Sequence, residues 1–299
     1  MDIGIANTFS VKVNYTQWDP VVRRLHTIFP MFQPIPAPDK PRLTLLLLIL
    51  SGAFILGGLL LFQSPLNLQA MLWLNHLTPG LDDFWSFITQ FGEGGAALLL
   101  LLVITRFSLS GNALSLKIFL LGSLLSPLLK SWVASPRPLG VIEAGLINSI
   151  GQPPSGASSM PSGHSLTVFA AIGVVLLCFP LKARHWPVTA LLVLLAVLVA
   201  LSRIMVGAHW PADVLAGAGT GLAVALLAKR WEDLQSWQPY LQRRPAQWSL
   251  LLTEAVLAGY LLTATTATSA ERLAFDLIAT VGIAGAMSRL SFIRRQPWA

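Results

Sequence analysis

Charge is scarce in this sequence. Only 11% of its 299 residues are Asp, Glu, Lys or Arg, whereas a water-soluble domain carries about 25%. Apolar residues make up 54%, and the mean hydropathy is +0.67. A single buried core cannot absorb that much apolar surface, so water is not the main solvent of this chain. Cysteine occurs once, as Cys178 within VVLLCFP. That excludes an internal disulfide and the paired spacing of a zinc or redox site, leaving a small apolar side chain in a helix. No long apolar run falls within the first forty residues. A cleavable signal peptide is therefore not expected, and the first span is expected to act as the insertion signal itself. Internal repeats and low-complexity segments are missing as well.

What is present is a series of unbroken apolar runs close to the ~20 residues that cross a bilayer as a helix. They predict spans near 43–63, 92–107, 112–133, 165–181, 187–206, 211–229, 248–266 and 272–291. The expected fold is all-α, a polytopic transmembrane helical bundle. The expected organisation is a cytoplasmic N-terminal tail over 1–42, a six-span core over 43–229, and an extension over 230–299 with two further spans. The tail is rich in proline (Pro30, Pro34, Pro36, Pro38, Pro41) and has no core of its own. The connection 64–91 combines Leu66, Met71, Trp73 and Trp85 with Asp82 and Asp83. That mixture reads as helical segments at the membrane interface, as anchors or as a lid.

The net charge of +7 is mostly a topology signal. With the N-terminus placed in the cytoplasm, sixteen Lys and Arg residues fall inside and four outside: Lys130, Arg137, Arg203 and Arg272. This bias puts both termini in the cytoplasm. No cluster of basic residues with stacking partners is present, so nucleic acid is not an expected partner.

Three of the four outside charges belong to distinctive blocks. The first is Lys130-SWVASP-Arg137-Pro138, at the end of the third span. The second is Pro161-Ser162-Gly163-His164, opening the fourth. The third is Ser202-Arg203-IMVGA-His209-WPA-Asp213, between the fifth and sixth. Alternating spans bring all three to one membrane face. Lys130, Arg137 and Arg203 then offer up to three positive charges, and arginine forks match phosphate oxygens. The amides of Ser162, Gly163 and His164 open a helix, which is a ready anion site, and Gly163 lets backbone approach the ligand. Asp213 bonded to one nitrogen of His209 fixes the tautomer and leaves the other nitrogen free to attack phosphorus. His164 is placed to protonate the leaving oxygen. Each piece alone has a plainer explanation: Asp213 as a first-turn helix acid, His209 as an interfacial residue, PSGH as a turn with a cap. Together, in this order and on one face, they compose a two-step phosphotransfer set.

At these residues the chain resembles the type 2 phosphatidic acid phosphatase superfamily, a membrane lipid phosphatase family that shares its core with haloperoxidases. All three signature elements are present, and the resemblance covers the six-span core. It implies His209 as nucleophile, Asp213 as its partner and His164 as general acid. It further implies Lys130, Arg137, Ser162, Gly163 and Arg203 as phosphate-binding residues, and no metal or other cofactor. The last agrees with the lack of a carboxylate cluster of the kind magnesium needs. The resemblance says nothing about the last two spans.

The expected substrate is a lipid phosphate within the bilayer, either undecaprenyl diphosphate or a glycerolipid phosphate such as phosphatidic acid or phosphatidylglycerol phosphate. The expected place is a bacterial inner membrane, with the site facing the periplasm. No oligomeric state can be read. One alternative is a lipid-to-lipid phosphotransferase using the same site. Another is a transporter or flippase, since intramembrane charges such as Glu254 and Asp276 can line a pathway. Pairing with a neighbouring residue explains those two more simply, and the other ionisable groups gather at one face.

Overall fold

The structure is a computed structural model that describes residues 41–143, 145–151, 156–179 and 186–295. The expected tail 1–42 therefore lies outside the described residues except for its last two. The described residues contain eleven α-helices and no strand. They are α1 (Pro41–Phe62), α2 (Pro65–Asn75), α3 (Asp82–Thr89), α4 (Gly94–Thr105), α5 (Leu109–Val133) and α6 (Gly163–Cys178). They continue with α7 (Trp186–Met205), α8 (Pro211–Leu234), α9 (Gln238–Leu241), α10 (Arg244–Thr263) and α11 (Ser269–Arg295). Each predicted span is helical over most of its described residues, and the polytopic all-α bundle is the observed architecture. The helices at 165–181 and 248–266, α6 and α10, are not among those long and apolar enough to cross a bilayer.

Helix ends follow local chemistry. Pro41, Pro65 and Pro211 stand at first-turn positions, where the missing N–H costs nothing. Ser64, Glu93, Ser108 and Ser162 each cap the helix that follows by accepting a first-turn amide. Five helices, α1, α5, α7, α8 and α11, are long and apolar enough to cross a bilayer. The expected span 92–107 is shorter than its apolar run. As α4 it has 12 residues, about 18 Å of rise against the ~30 Å hydrocarbon core. It meets the segment Asp82–Gly92 at an angle of 65°, and only the bent pair has the length of a span. Glu93 makes the corner by leaving the helical region to cap α4.

The centre of the bundle is α8, which packs against α1 on one side and α6 on the other. Exposed leucines on α1, such as Leu45 and Leu60, face outward, as a lipid-facing helix requires. The α10–α11 hairpin packs on α4 and α3, sharing a core of Leu99, Val103, Leu261, Phe275 and Ile278. Of the helices found in the 64–91 connection, where interfacial segments were expected, α3 is deeply engaged. It sits between α7 and α11, with Trp85, Ser86, Ile88 and Thr89 buried.

The two acidic residues of the extension singled out above are paired. Glu254 Oε1 accepts from Arg289 Nη2 at 2.7 Å, and Asp276 bonds Arg272 at 2.8 Å. Two residues read from sequence as inside charges are buried instead. Arg289 is held by Glu254, Gln247 and Asn112. Lys117 donates to Glu232 at 2.5 Å and lies over the rings of Trp231 and Trp237. Burial with a partner removes both from the count of solvent-facing positive charge.

Candidate active site

The three sequence blocks meet at one end of the bundle. Lys130 lies in the last turn of α5, followed by Ala134 in the left-handed region at the C-cap. The chain then runs extended through Ser135–Arg137, where Pro136 bridges antiparallel to Ser158. Trp210 Nε1 donates to Pro136 O at 2.9 Å, tying the first block to the third. Ser162 N donates to the backbone oxygen of Asp213 at 3.0 Å, tying the second to the third. The turn 206–209 is narrow. Gly207 has φ +76°, and a Cβ there would meet Asn148 O at 2.5 Å. Arg203 O accepts from the amides of Ala208 and His209, so Arg203 and His209 are fixed relative to each other.

His209 is 3% exposed and lies in the turn between α7 and α8. Its Nε2 is 3.3 Å from Arg137 Nη1. A guanidinium can only donate, so Nε2 carries the lone pair and Nδ1 carries the proton. That Nδ1 is 3.2 Å from both Asp213 Oδ2 and Ser159 Oγ. Asp213 Oδ2 also accepts from Ser159 Oγ and, at 2.8 Å, from Trp210 N. Burial, and after it the positive charges of Arg203, Arg137 and Lys130, hold the His209 imidazole well below the ordinary histidine range. The ring is therefore neutral at neutral pH, with its bare nitrogen aimed at the cationic cluster.

Arg137 is oriented by carbonyls: Nε donates to Gly156 O at 2.8 Å and Nη1 to Ala208 O at 3.0 Å. Arg203 Nη1 donates to Thr89 Oγ1 at 2.5 Å, and its buried Nε has no hydrogen-bond partner among the described residues. Lys130 lies within electrostatic range of Arg137, Arg203 and Asp213. His164, in the first turn of α6, lies within range of the same three cations and of His209. All the expected side chains are thus gathered in one place. One expectation needs correcting. The amide of Ser162 is not available to a ligand, because it bonds Asp213 O, and its Oγ caps α6 through Ser165 N. Ser162 locks α6 onto α8, and the first-turn amides that remain without a helical acceptor are those of Gly163 and His164. A Cβ at Gly163 would meet only Ser126 Oγ, at 3.7 Å, so packing is not what keeps this position small.

Sequence reasoning missed Ser159 and Thr89. Ser159 bridges His209 and Asp213, and Thr89 orients Arg203 from a helix outside all three blocks. Neither carries a local signal, since serine and threonine are ordinary at such positions. Beside the cluster, a cavity of about 310 Å³ opens between α4, α5 and α6. Gly163 and His164 form one end, and Ala97, Leu98, Leu101, Ile118 and Phe119 line its length. Along α5 it runs from Pro127 to Ser115, about 18 Å of helix.

The chain is similar to phosphatidylglycerophosphatase B of Bacillus subtilis, with 29% identity over 206 residues, 64% of this chain and 93% of that protein. It is similar to undecaprenyl-diphosphatase BcrC of Bacillus subtilis, with 31% identity over 173 residues, 56% of this chain and 82% of that protein. A shorter likeness, 37% identity over 107 residues, relates it to lipid A 1-phosphatase of Rhizobium johnstonii, of which it spans 41%. The family model described as PAP2 superfamily matches residues 112–237, the stretch that carries every block brought together above. The chain belongs to the PAP2 superfamily.

Proposed function

We propose that this protein is a metal-independent lipid phosphate phosphatase working through a phosphohistidine on His209. The observation that carries this reading is the ring of His209, fixed by Asp213 and Ser159 on one nitrogen and presenting the other to Arg137 at 3.3 Å. A phosphoryl group seated among Lys130, Arg137, Arg203 and the amides of Gly163 and His164 would face that lone pair. In the first step the Nε2–P bond forms and the P–O bond to the lipid breaks, with His164 giving its proton to the leaving oxygen. In the second step water attacks phosphorus, the N–P bond breaks, and His164 takes the water proton. Charge spread over the phosphoryl oxygens is stabilised by the preset cations. The cavity that starts at His164 suits the apolar chain of the departing lipid.

The relatives act, by their names, on phosphatidylglycerol phosphate, undecaprenyl diphosphate and lipid A 1-phosphate. The first two classes are the proposed substrates here. The positive-inside bias supports a bacterial inner membrane with cytoplasmic termini and a site on the periplasmic face, reached from the bilayer. Purified protein in detergent should release inorganic phosphate from phosphatidic acid, phosphatidylglycerol phosphate or undecaprenyl diphosphate with chelator present. Full activity in His209→Ala would refute the nucleophile. Label passing to a second lipid with little free phosphate would make the enzyme a transferase. A fluorescent-protein fusion after residue 150 should stay dark if the site is periplasmic, and an alkaline-phosphatase fusion there should be active.

A further inference from the structure

The α10–α11 hairpin lies beyond the family-matched residues 112–237, yet it reaches the site through α3. Helix α3 packs against α7 on one side and α11 on the other. On its buried face Ser86 and Thr89 stand three residues apart, in line along the helix. Thr89 accepts from Arg203. Ser86 Oγ is 2.8 Å from Thr268 Oγ1 and donates to Glu271 Oε1 at 3.4 Å. Glu271 belongs to the first turn of α11, and its other oxygen accepts from Ala267 N at 2.7 Å.

A helix-capping acid does not need to be buried, but Glu271 is 6% exposed and pressed by backbone. Gly151 has φ +75°, and a Cβ there would lie 2.2 Å from Glu271 Oε1, so only glycine fits against the carboxylate. The segment holding Gly151 is in turn fixed to the turn between Arg203 and His209. Ile150 N donates to Val206 O, and Asn148 O sits against Gly207. Glu271 thus touches the two supports of the cationic cluster, α3 and the 148–151 segment. It also lies within electrostatic range of Arg203.

We propose that the C-terminal extension completes the phosphate site, with Glu271 as a positioning residue that holds the Arg203 guanidinium through Ser86 and Thr89. This rests on the reading of Arg203 as a phosphate ligand. The test uses the purified full chain with inorganic vanadate, a mimic of five-coordinate phosphorus, alongside turnover of phosphatidic acid. Glu271→Gln and Thr89→Val are each expected to weaken vanadate affinity and kcat about tenfold while KM moves little. The double variant is expected to be no worse than the stronger single, because both cut one path. Ser86→Ala, which alters no charge, is expected to shift vanadate affinity in the same direction with an unchanged melting temperature. Wild-type vanadate affinity in Glu271→Gln, or losses that multiply in the double variant, would overturn the proposal. Arg203→Ala separates the two levels. If it too leaves vanadate affinity intact, the phosphate-site reading fails; if it alone loses affinity, the role of Glu271 fails.

Discussion

Two arginines buried in this bundle have opposite surroundings. Arg289, 1% exposed, gives its donors to Glu254, Gln247, Asn112 and Leu102 O. Arg203, 8% exposed, has Thr89 as its hydrogen-bond partner and an Nε without one among the described residues. The first is neutralised by a carboxylate in contact. Around the second, Lys130 and Arg137 add like charge, and the carboxylate that acts on it, Glu271, is held by Ser86 and the amide of Ala267 and makes no ion pair with it. Arg289 has its charge matched by a carboxylate in contact, because leaving it unmatched in an apolar interior would cost several kcal/mol. Arg203 lacks such a match among the described residues, which fits its proposed role, in which a bound phosphate supplies the missing acceptors. Sequence distance does not distinguish the two; packing does.

The contrast can be broken most severely at Arg289. Arg289→Ala leaves the Glu254 carboxyl without its partner in an apolar interior, with an expected loss of about 3–5 kcal/mol. Thermal unfolding in detergent should show this, while phosphate release per folded molecule stays near wild type. Replacing both partners by leucine should restore most of the stability. Arg203→Ala should do the reverse, lowering kcat by about 10²–10³ with little change in melting temperature. Equal stability losses at the two positions would erase the distinction.

A smaller effect is expected in the turn that fixes Arg203 relative to His209. Gly207→Ala adds a side chain at φ +76° against Asn148 O, a strain of about 1–3 kcal/mol. Both melting temperature and kcat should fall. The finest test is the pH profile. Burial and the nearby cations hold His209 below the ordinary range, so its nucleophilic neutral form persists as pH falls. With His164 as general acid the profile of kcat/KM should be bell-shaped, and its acid limb, set by His209, should lie below the ordinary histidine value. Arg137→Gln removes one of the depressing charges and should move that acid limb upward. An acid limb above the ordinary histidine value in the wild type would contradict this electrostatic picture.

The helices were legible in the sequence because a bilayer tolerates few alternatives: an apolar run of sufficient length must satisfy its backbone as a helix. The blocks around Lys130, Arg137, His164, Arg203, His209 and Asp213 were legible because several rare residue types recur at fixed spacing. The supports of those residues were not. Thr89 sits in a segment whose composition suggested an interfacial helix, and only packing between α7 and α11 turns it inward. The amide of Ser162 looked free by its place at a helix start; Asp213 O, on a different helix, takes it. Arg289 looked like a cytoplasmic anchor near the end of a span, since its partner Glu254 lies one helix earlier and 35 residues away. In each case the deciding contact is between elements, where a residue's own neighbours in sequence carry no information.

The contact between α6 and α8 has a further consequence. A Cβ at Gly217 would lie 2.5 Å from Ser162 O, and one at Gly221 would lie 2.3 Å from Leu166 O. The two helices therefore meet backbone to backbone, with hydrogen atoms as the only spacers. One helix carries His164, the proposed proton donor, in its first turn; the other starts at the turn holding His209, the proposed nucleophile. On the proposed mechanism, the gap across which phosphorus is transferred is thus gauged by main-chain thickness, which side-chain substitution does not change. Substrates of different tails can be exchanged in such a scaffold by remodelling the cavity, while the reacting distance stays the same.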